Sequence, residues 1–145
     1  MIQALRNKHV ILDNNIISDF GGVGRLSLLN RILEDGVVVL SPDNSETDYQ
    51  NAARLRREQK GLGAADISCL VLAKKHDGIC ASNDKLVRKV AKREGIAVIG
   101  SIGLLECAIL QRILTPKEAK EILLKTIENG AFIEEKLVNN FLKRR

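Results

Sequence analysis

The stretch HVILDNNIISDF, residues 9–20, decides how the rest of the chain is interpreted. The segment from His9 to Leu12, with three consecutive apolar residues, indicates a short strand that is buried on both faces. The strand ends at Asp13, which is followed by two asparagines before apolar residues return at Ile16. A buried strand that ends in a carboxylate and two amides indicates a site at that end of the strand.

Short apolar segments alternate with helical patterns along the rest of the chain. Further strands are predicted at residues 37–40, 78–81 and 97–99, and helices at 27–34, 44–59, 64–75, 84–94, 101–112, 116–129 and 134–143. Alternating strands and helices predict an α/β fold, a three-layer α/β/α sandwich whose mainly parallel sheet has about four to five strands. If the first strand is central, with 37–40 and 78–81 on either side, its carboxyl end flanks a topological switch point, where ligand crevices form.

The length and composition predict a single domain over residues 1–145, closed by C-terminal helices at about 116–145. No apolar run approaches the roughly 20 residues that a membrane-spanning helix needs, and no leader follows Met1, so we expect a cytoplasmic protein without a membrane. The net charge of +5 mildly favours a polyanionic partner. With three Phe, one Tyr and no Trp, base recognition on an aromatic platform is poorly supported.

The cysteines and histidines restrict the kind of metal site that the chain can build. Three cysteines and two histidines, with no CxxC pair, argue against structural zinc and against disulfides. Any catalytic metal therefore needs oxygen ligands, which are the ligands of magnesium and manganese.

Acidic residues recur at element boundaries that face the same edge of the predicted sheet. Asp13 follows the first strand, Asp84 in ASNDK follows the strand at 78–81, and Asp66 lies in the first turn of the helix at 64–75. A fourth acid is expected from SPDNSETDY, with Glu46 preferred and Asp48 as the alternative. Helix capping explains each acid singly, but it explains the joint pattern less easily.

Convergence of these acids has an electrostatic cost. Two carboxylates ~4 Å apart repel each other by about 4 kcal/mol at an effective dielectric constant near 20. A divalent cation removes that conflict, and magnesium keeps several waters while it contacts few carboxylates directly. Metal-assisted hydrolysis of a phosphodiester is the chemistry that such a site favours.

Three segments in this order, VILDNN, GLGAADISCLVLAKK and ICASNDKLVRKVAKREGIAVIG, resemble PIN-domain nucleases over roughly residues 10–107. The C-terminal tail is similar to a bacterial and archaeal branch of that family. The resemblance implies a ribonuclease that depends on Mg²⁺ or Mn²⁺ and hydrolyses RNA, often as the toxin of a toxin–antitoxin pair. It also implies an antitoxin protein as a possible partner and a homodimer.

The resemblance assigns roles to particular residues. The implied catalytic set is Asp13, Glu46, Asp66 and Asp84, with Asp13, Asp66 and Asp84 as metal ligands. Asn15, Ser82 and Asn83 would support them, since Ser82-Asn83-Asp84 corresponds to the family's Ser/Thr-Asn-Asp element. The chain departs from the family pattern in the segment around Glu46. That segment is unusually polar, whereas the family has an apolar run that leads into a helical glutamate. A catalytically degenerate module that binds RNA or protein is therefore the alternative function.

The helix that Asp84 opens carries a stripe of basic residues. These are Lys85, Arg88, Lys89, Lys92 and Arg93. Spacings of three and four place most of them on one face, opposite an apolar face. An RNA backbone along the stripe would give salt-dependent binding that is largely independent of sequence, and the alternative is a plain solvated face.

Overall fold

A computed structural model describes residues 9–33 and 46–144 of the chain. Within them, β1 (Val10–Leu12), β2 (Ile79–Ala81) and β3 (Ala97–Ile99) form a parallel sheet in the order β1-β2-β3. The α/β class is confirmed, but the described part of the sheet has three strands, fewer than the four to five that the alternation predicts. The predicted strand at 37–40 lies outside the described residues.

The described residues form eight helices, and all but the first overlap the predicted helices. They are α1 (Asn14–Gly22), α2 (Leu26–Ile32), α3 (Glu46–Glu58), α4 (Ala64–Lys75), α5 (Lys85–Arg93), α6 (Ser101–Leu110), α7 (Pro116–Glu128) and α8 (Glu135–Lys143). None of these described helices is long and apolar enough to cross a bilayer.

Each face of the sheet is covered by its own apolar cluster. Ile79, Ala81 and Ile99 pack against residues of α1, α2 and α6–α8, whereas Ile11 and Cys80 pack against residues of α3, α4 and α5. Cys80 and Ala81, neighbours in β2, are both fully buried, one on each face. This arrangement confirms the predicted three-layer sandwich, and it explains why the strands are continuously apolar.

Ion pairs fix the position of α3 on this framework. Asp48, near the start of α3, accepts from Lys75 Nζ at 3.1 Å, at the end of α4, so the two helices run antiparallel. Further along α3, Arg54 binds both carboxylate oxygens of Glu94, and Lys74 Nζ lies 3.3 Å from the same group. The hydrogen bond from Arg54 is the main reason why the pKa of Glu94 lies below its usual range.

Candidate active site

The register of the sheet makes Asp13 and Ser82 neighbours. Leu12 pairs with Ala81, and the ladder continues for one residue beyond each strand. The N–H of Asp13 donates to the carbonyl of Ala81 at 2.9 Å, and the N–H of Ser82 donates to that of Ile99 at 2.9 Å. Ser82 Oγ then donates to Asp13 Oδ2 at 2.7 Å, with both residues buried. The strand pairing therefore holds the first predicted acid beside the end of β2.

Asp84 joins this pair through the same hydroxyl group. Its backbone N–H donates to Ser82 Oγ at 3.1 Å. Its carboxylate oxygen Oδ1 accepts from the N–H groups of Leu86 and Val87, at 2.9 and 3.0 Å. Asp84 is thus the N-cap of α5, and the capping role uses only one of its two carboxylate oxygens.

Asp66 reaches the group from the first turn of α4. Its Oδ2 accepts from the N–H of Gly63 at 3.0 Å, which fixes the carboxylate over the start of the helix. Burial is the main cause that raises the pKa of Asp66, and the negative charges of Asp13 and Asp84 raise it further, against the Gly63 hydrogen bond. The three acids that the sequence selects therefore act on one another electrostatically.

Cys69 shows that α4 lies directly against the acid-bearing end of β1. Its Sγ is 3.9 Å from the carbonyl oxygen of Leu12. Burial, followed by the charges of Asp13 and Asp66, raises the pKa of this thiol to about 11. A thiol in that state is a weak nucleophile at neutral pH, so Cys69 is a packing residue beside the acids.

A second layer of polar side chains holds Asn83 in place. Asn83 Oδ1 accepts from the N–H of Ser101 at 2.9 Å, while its Nδ2 donates to Ser101 Oγ at 2.8 Å and to Asp19 Oδ2 at 3.0 Å. Asn15 Oδ1 lies 3.4 Å from the N–H of Asn83, and Asn15 Nδ2 lies 3.4 Å from Ser82 Oγ. These contacts tie α1 and α6 to the loop between β2 and α5.

The sequence reasoning missed two residues of this layer, Ser101 and Asp19. Burial raises the pKa of Asp19, and the hydrogen bond from Asn83 opposes that effect. Asn15 and Asp19 are four residues apart in α1, and both line the cleft that contains Asp84. That i, i+4 spacing of polar residues directly after Asp13 was the signal that could have found Asp19.

The expected fourth acid is placed differently from the other three. Asp48 pairs with Lys75, which lies about 13 Å from Asp66 along α4 at about 1.5 Å of rise per residue. Glu46 begins α3 two residues before Asp48, so its backbone lies towards that same remote end, and its side chain lies outside the described part of the structure. Asp13 and Asp84 meet at Ser82, and Asp66 lies within range of their charges. Asp48 is held at the far end of α4 instead.

The basic stripe on α5 has two kinds of member. Arg88 Nη1 donates to the carbonyl of Ser82 at 3.1 Å, so Arg88 supports the loop that carries the acids. Lys85, Lys89 and Lys92 are exposed, and with Arg88 they line a groove of about 750 Å³.

A comparison with protein-family models gives this arrangement a family. The model of the PIN domain matches residues 43–145, more than half of the chain. The chain belongs to the PIN-domain family. The matched residues include Asp66 and Asp84, whereas Asp13 precedes them and is joined to them by the pairing of β1 with β2. Neither the curated proteins nor the solved structures that were compared with the chain gave a match.

PIN domains are generally nucleases that use divalent metal ions, so the acids must be tested for such an ion. The donor set consists of carboxylate oxygens, which suit magnesium or manganese. Within residues 9–33 and 46–144, no three His, Cys, Asp or Glu side chains are placed to hold one ion together. Magnesium contacts only one or two carboxylates directly and keeps water on its other positions, so two of the three acids would be enough to hold that ion, and their donor chemistry suits it.

Proposed function

We propose that this PIN domain is a ribonuclease that depends on Mg²⁺ or Mn²⁺ and hydrolyses phosphodiester bonds of RNA. The observation that carries the proposal is that Asp13 and Asp84 meet at the Ser82 hydroxyl at one end of the sheet. Asp66 lies in the first turn of α4, where burial, and then the charges of Asp13 and Asp84, raise its pKa. Carboxylates held in mutual repulsion favour a bound cation, since the cation relieves the repulsion. When bound, such a cation supplies charge stabilisation at the phosphoryl oxygen and a water of lowered pKa.

The chain's own residues supply orientation and charge. Ser82 fixes Asp13 through the 2.7 Å hydrogen bond, and Asp84 is fixed by its cap on α5. The cations on α5 attract the phosphate backbone towards the acids, in a way that salt should weaken. Asn83 and its partners keep the intervening loop in one conformation.

The direct test is cleavage of single-stranded RNA in the presence of Mn²⁺. We expect the wild-type protein to cleave and Asp13→Asn to lose cleavage, because the amide removes the charge at the end of β1. Asp77→Asn is the matched control, since Asp77 lies before the other end of β2, at φ 48°, which asparagine tolerates. Equal cleavage by the wild type and Asp13→Asn would defeat the proposal.

A catalytically degenerate module that binds RNA is the second candidate. The observation that favours it is the missing group of three metal-binding side chains among the residues that the structure describes. Such a module binds RNA in EDTA and gives no heat on titration with Mn²⁺. The nuclease instead takes up Mn²⁺ in calorimetry, and Asp13→Asn weakens that uptake.

A toxin role in the cytoplasm, with an antitoxin protein as partner and a homodimer as the assembly, completes the proposal. Exposed leucines on the later helices, Leu110 and Leu124, support a contact between copies. Light scattering on the purified chain measures the assembly. Growth arrest on expression of the wild type, but not of Asp13→Asn, tests the toxin role.

A further inference from the structure

One aromatic side chain stands out on the surface near the acids. Of the chain's three phenylalanines, Phe20 and Phe141 are buried, whereas Phe132 is 84% exposed. Phe132 lies between α7 and α8, in a segment that is anchored on both sides. The N–H of Ala131 donates to the carbonyl of Thr126 at 3.1 Å, and Ile133 packs against the core. The anchored backbone on either side of Phe132 therefore keeps its apolar ring exposed to solvent.

Phe132 stands where two clefts meet. The smaller cleft, of about 390 Å³, contains Asp84 and the polar residues of α1. The larger is the groove of about 750 Å³ along the cations of α5. Asn83, Lys85 and Phe132 line both clefts, so a chain that follows the cations to the acids passes the Phe132 ring.

The two walls of the groove differ in chemistry. The α5 wall carries the cations, and the opposite wall carries Phe132, Ile133 and the acids Glu134 and Glu135. A third acid of the groove, Glu106, pairs with Arg144 at 3.0 Å. A single strand of nucleic acid matches both walls, because its phosphates face cations while its bases offer π-faces and amino groups to the other side.

We propose that Phe132 is a substrate-binding residue on which a base of single-stranded RNA stacks, while the phosphates of that strand face the cations of α5. The inference rests on the proposed function, since it names the form in which that substrate binds. Double-stranded RNA keeps its bases stacked on one another and offers no free face to the ring. The few aromatic residues of the chain argue against an extended stacking platform, but stacking of a single base needs only one ring.

Binding in EDTA tests the inference without cleavage. The probe is a fluorescein-labelled, unstructured single-stranded RNA of roughly 10 nucleotides, which is within the usual length of such sites, measured by anisotropy at fixed salt. We expect Phe132→Ala to bind about tenfold more weakly, within the range that stacking of one base contributes. Phe132→Trp should bind as tightly as the wild type. Tyr49→Ala is the matched control, because Tyr49 is also exposed, at 62%, and lines another cleft.

The outcomes separate this inference from the proposed function. Unchanged binding by Phe132→Ala overturns the stacking role, and so does a loss in Phe132→Trp or Tyr49→Ala as large as that in Phe132→Ala; the groove would then suit a protein partner. A double-stranded RNA of the same length is the second probe, and a loss of its binding to Phe132→Ala as large as that of the single strand overturns the role as well. If Phe132→Ala weakens single-strand binding but the wild type does not cleave with Mn²⁺, stacking stands and the nuclease proposal falls.

Discussion

Replacement of Ser82 by alanine tests how the acid group is held together. The Ser82 hydroxyl is fully buried and uses its whole hydrogen-bonding capacity, one donor and two acceptor positions. It donates to Asp13 Oδ2 at 2.7 Å, and it accepts from the N–H of Asp84 at 3.1 Å and from Asn15 Nδ2 at 3.4 Å. Alanine removes all three contacts and leaves a buried carboxylate with one partner fewer.

The expected loss of stability follows from these contacts. The hydrogen bond from Ser82 to the charged Asp13 should contribute about 1.5–3 kcal/mol. The hydrogen bond from the N–H of Asp84 to Ser82 adds about 1 kcal/mol, because water replaces the lost hydroxyl only incompletely. The free energy of unfolding should therefore fall by about 2–4 kcal/mol, which lowers the midpoint of urea unfolding by roughly 1–2 M. Ser101→Ala is the matched control: it is also buried, but its hydroxyl accepts from the neutral amide of Asn83 at 2.8 Å, so its loss should be about 1 kcal/mol.

A double-mutant cycle identifies the carboxylate as the source of the effect. The coupling energy between Ser82→Ala and Asp13→Asn in urea unfolding should exceed about 1 kcal/mol, because the two side chains are in direct contact. Equal losses for Ser82→Ala and Ser101→Ala, with coupling below about 0.5 kcal/mol, would refute the reasoning. In that case Ser82 would be an ordinary small core residue.

Two further changes test other parts of the framework. Glu94→Gln should cost about 1–2 kcal/mol at pH 7, discounted for the partial exposure of Arg54. Folding lowers the pKa of Glu94 below its usual 4.5, so the stability that the Glu94 carboxylate contributes is complete above about pH 5 and is lost as the pH falls through the folded pKa. In urea unfolding from pH 7 to pH 3, the free energies of unfolding of the wild type and Glu94→Gln should therefore converge. Gly100→Ala should cost about 1–3 kcal/mol and reduce RNA cleavage, because its Cβ would lie 2.8 Å from Asn83 Oδ1. Gly21→Ala, whose Cβ meets nothing within 4 Å, should leave melting temperature and cleavage unchanged, and a similar loss in both variants would contradict the steric argument.

Hydrophobic pattern and position were enough to predict much of this fold and site from the sequence. Continuous apolar segments of three or four residues indicated parallel strands that are buried on both faces, and all three described strands fall at predicted positions. Parallel pairing alone then required Asp13 and Ser82 to lie at the same edge, because a shared register places equivalent carboxyl ends side by side. No side-chain information was needed for that step.

Contacts between helices were beyond the reach of the same reasoning. Whether the start of α3 lies near the acids depends on its antiparallel packing against α4, which the ion pair of Asp48 with Lys75 reveals only in three dimensions. Asp19 was missed because its role depends on a hydrogen bond to Asn83, 64 positions away in the chain. Composition likewise could not locate the exposed phenylalanine at the meeting point of two clefts.

Capping and metal binding, set out as alternatives for the acids, use different atoms of the same side chains. Asp84 caps α5 through Oδ1 alone, and Asp66 binds the Gly63 N–H through Oδ2 alone. Each helix therefore fixes its own carboxylate at the rim of the sheet, where an unanchored side chain would swing away from its like-charged neighbours. The helix starts fix Asp66 and Asp84 with backbone hydrogen bonds, so burial, and then the charges of Asp13 and Asp84, raise the pKa of Asp66. Capping therefore holds two of the three acids at the rim of the sheet without a cation.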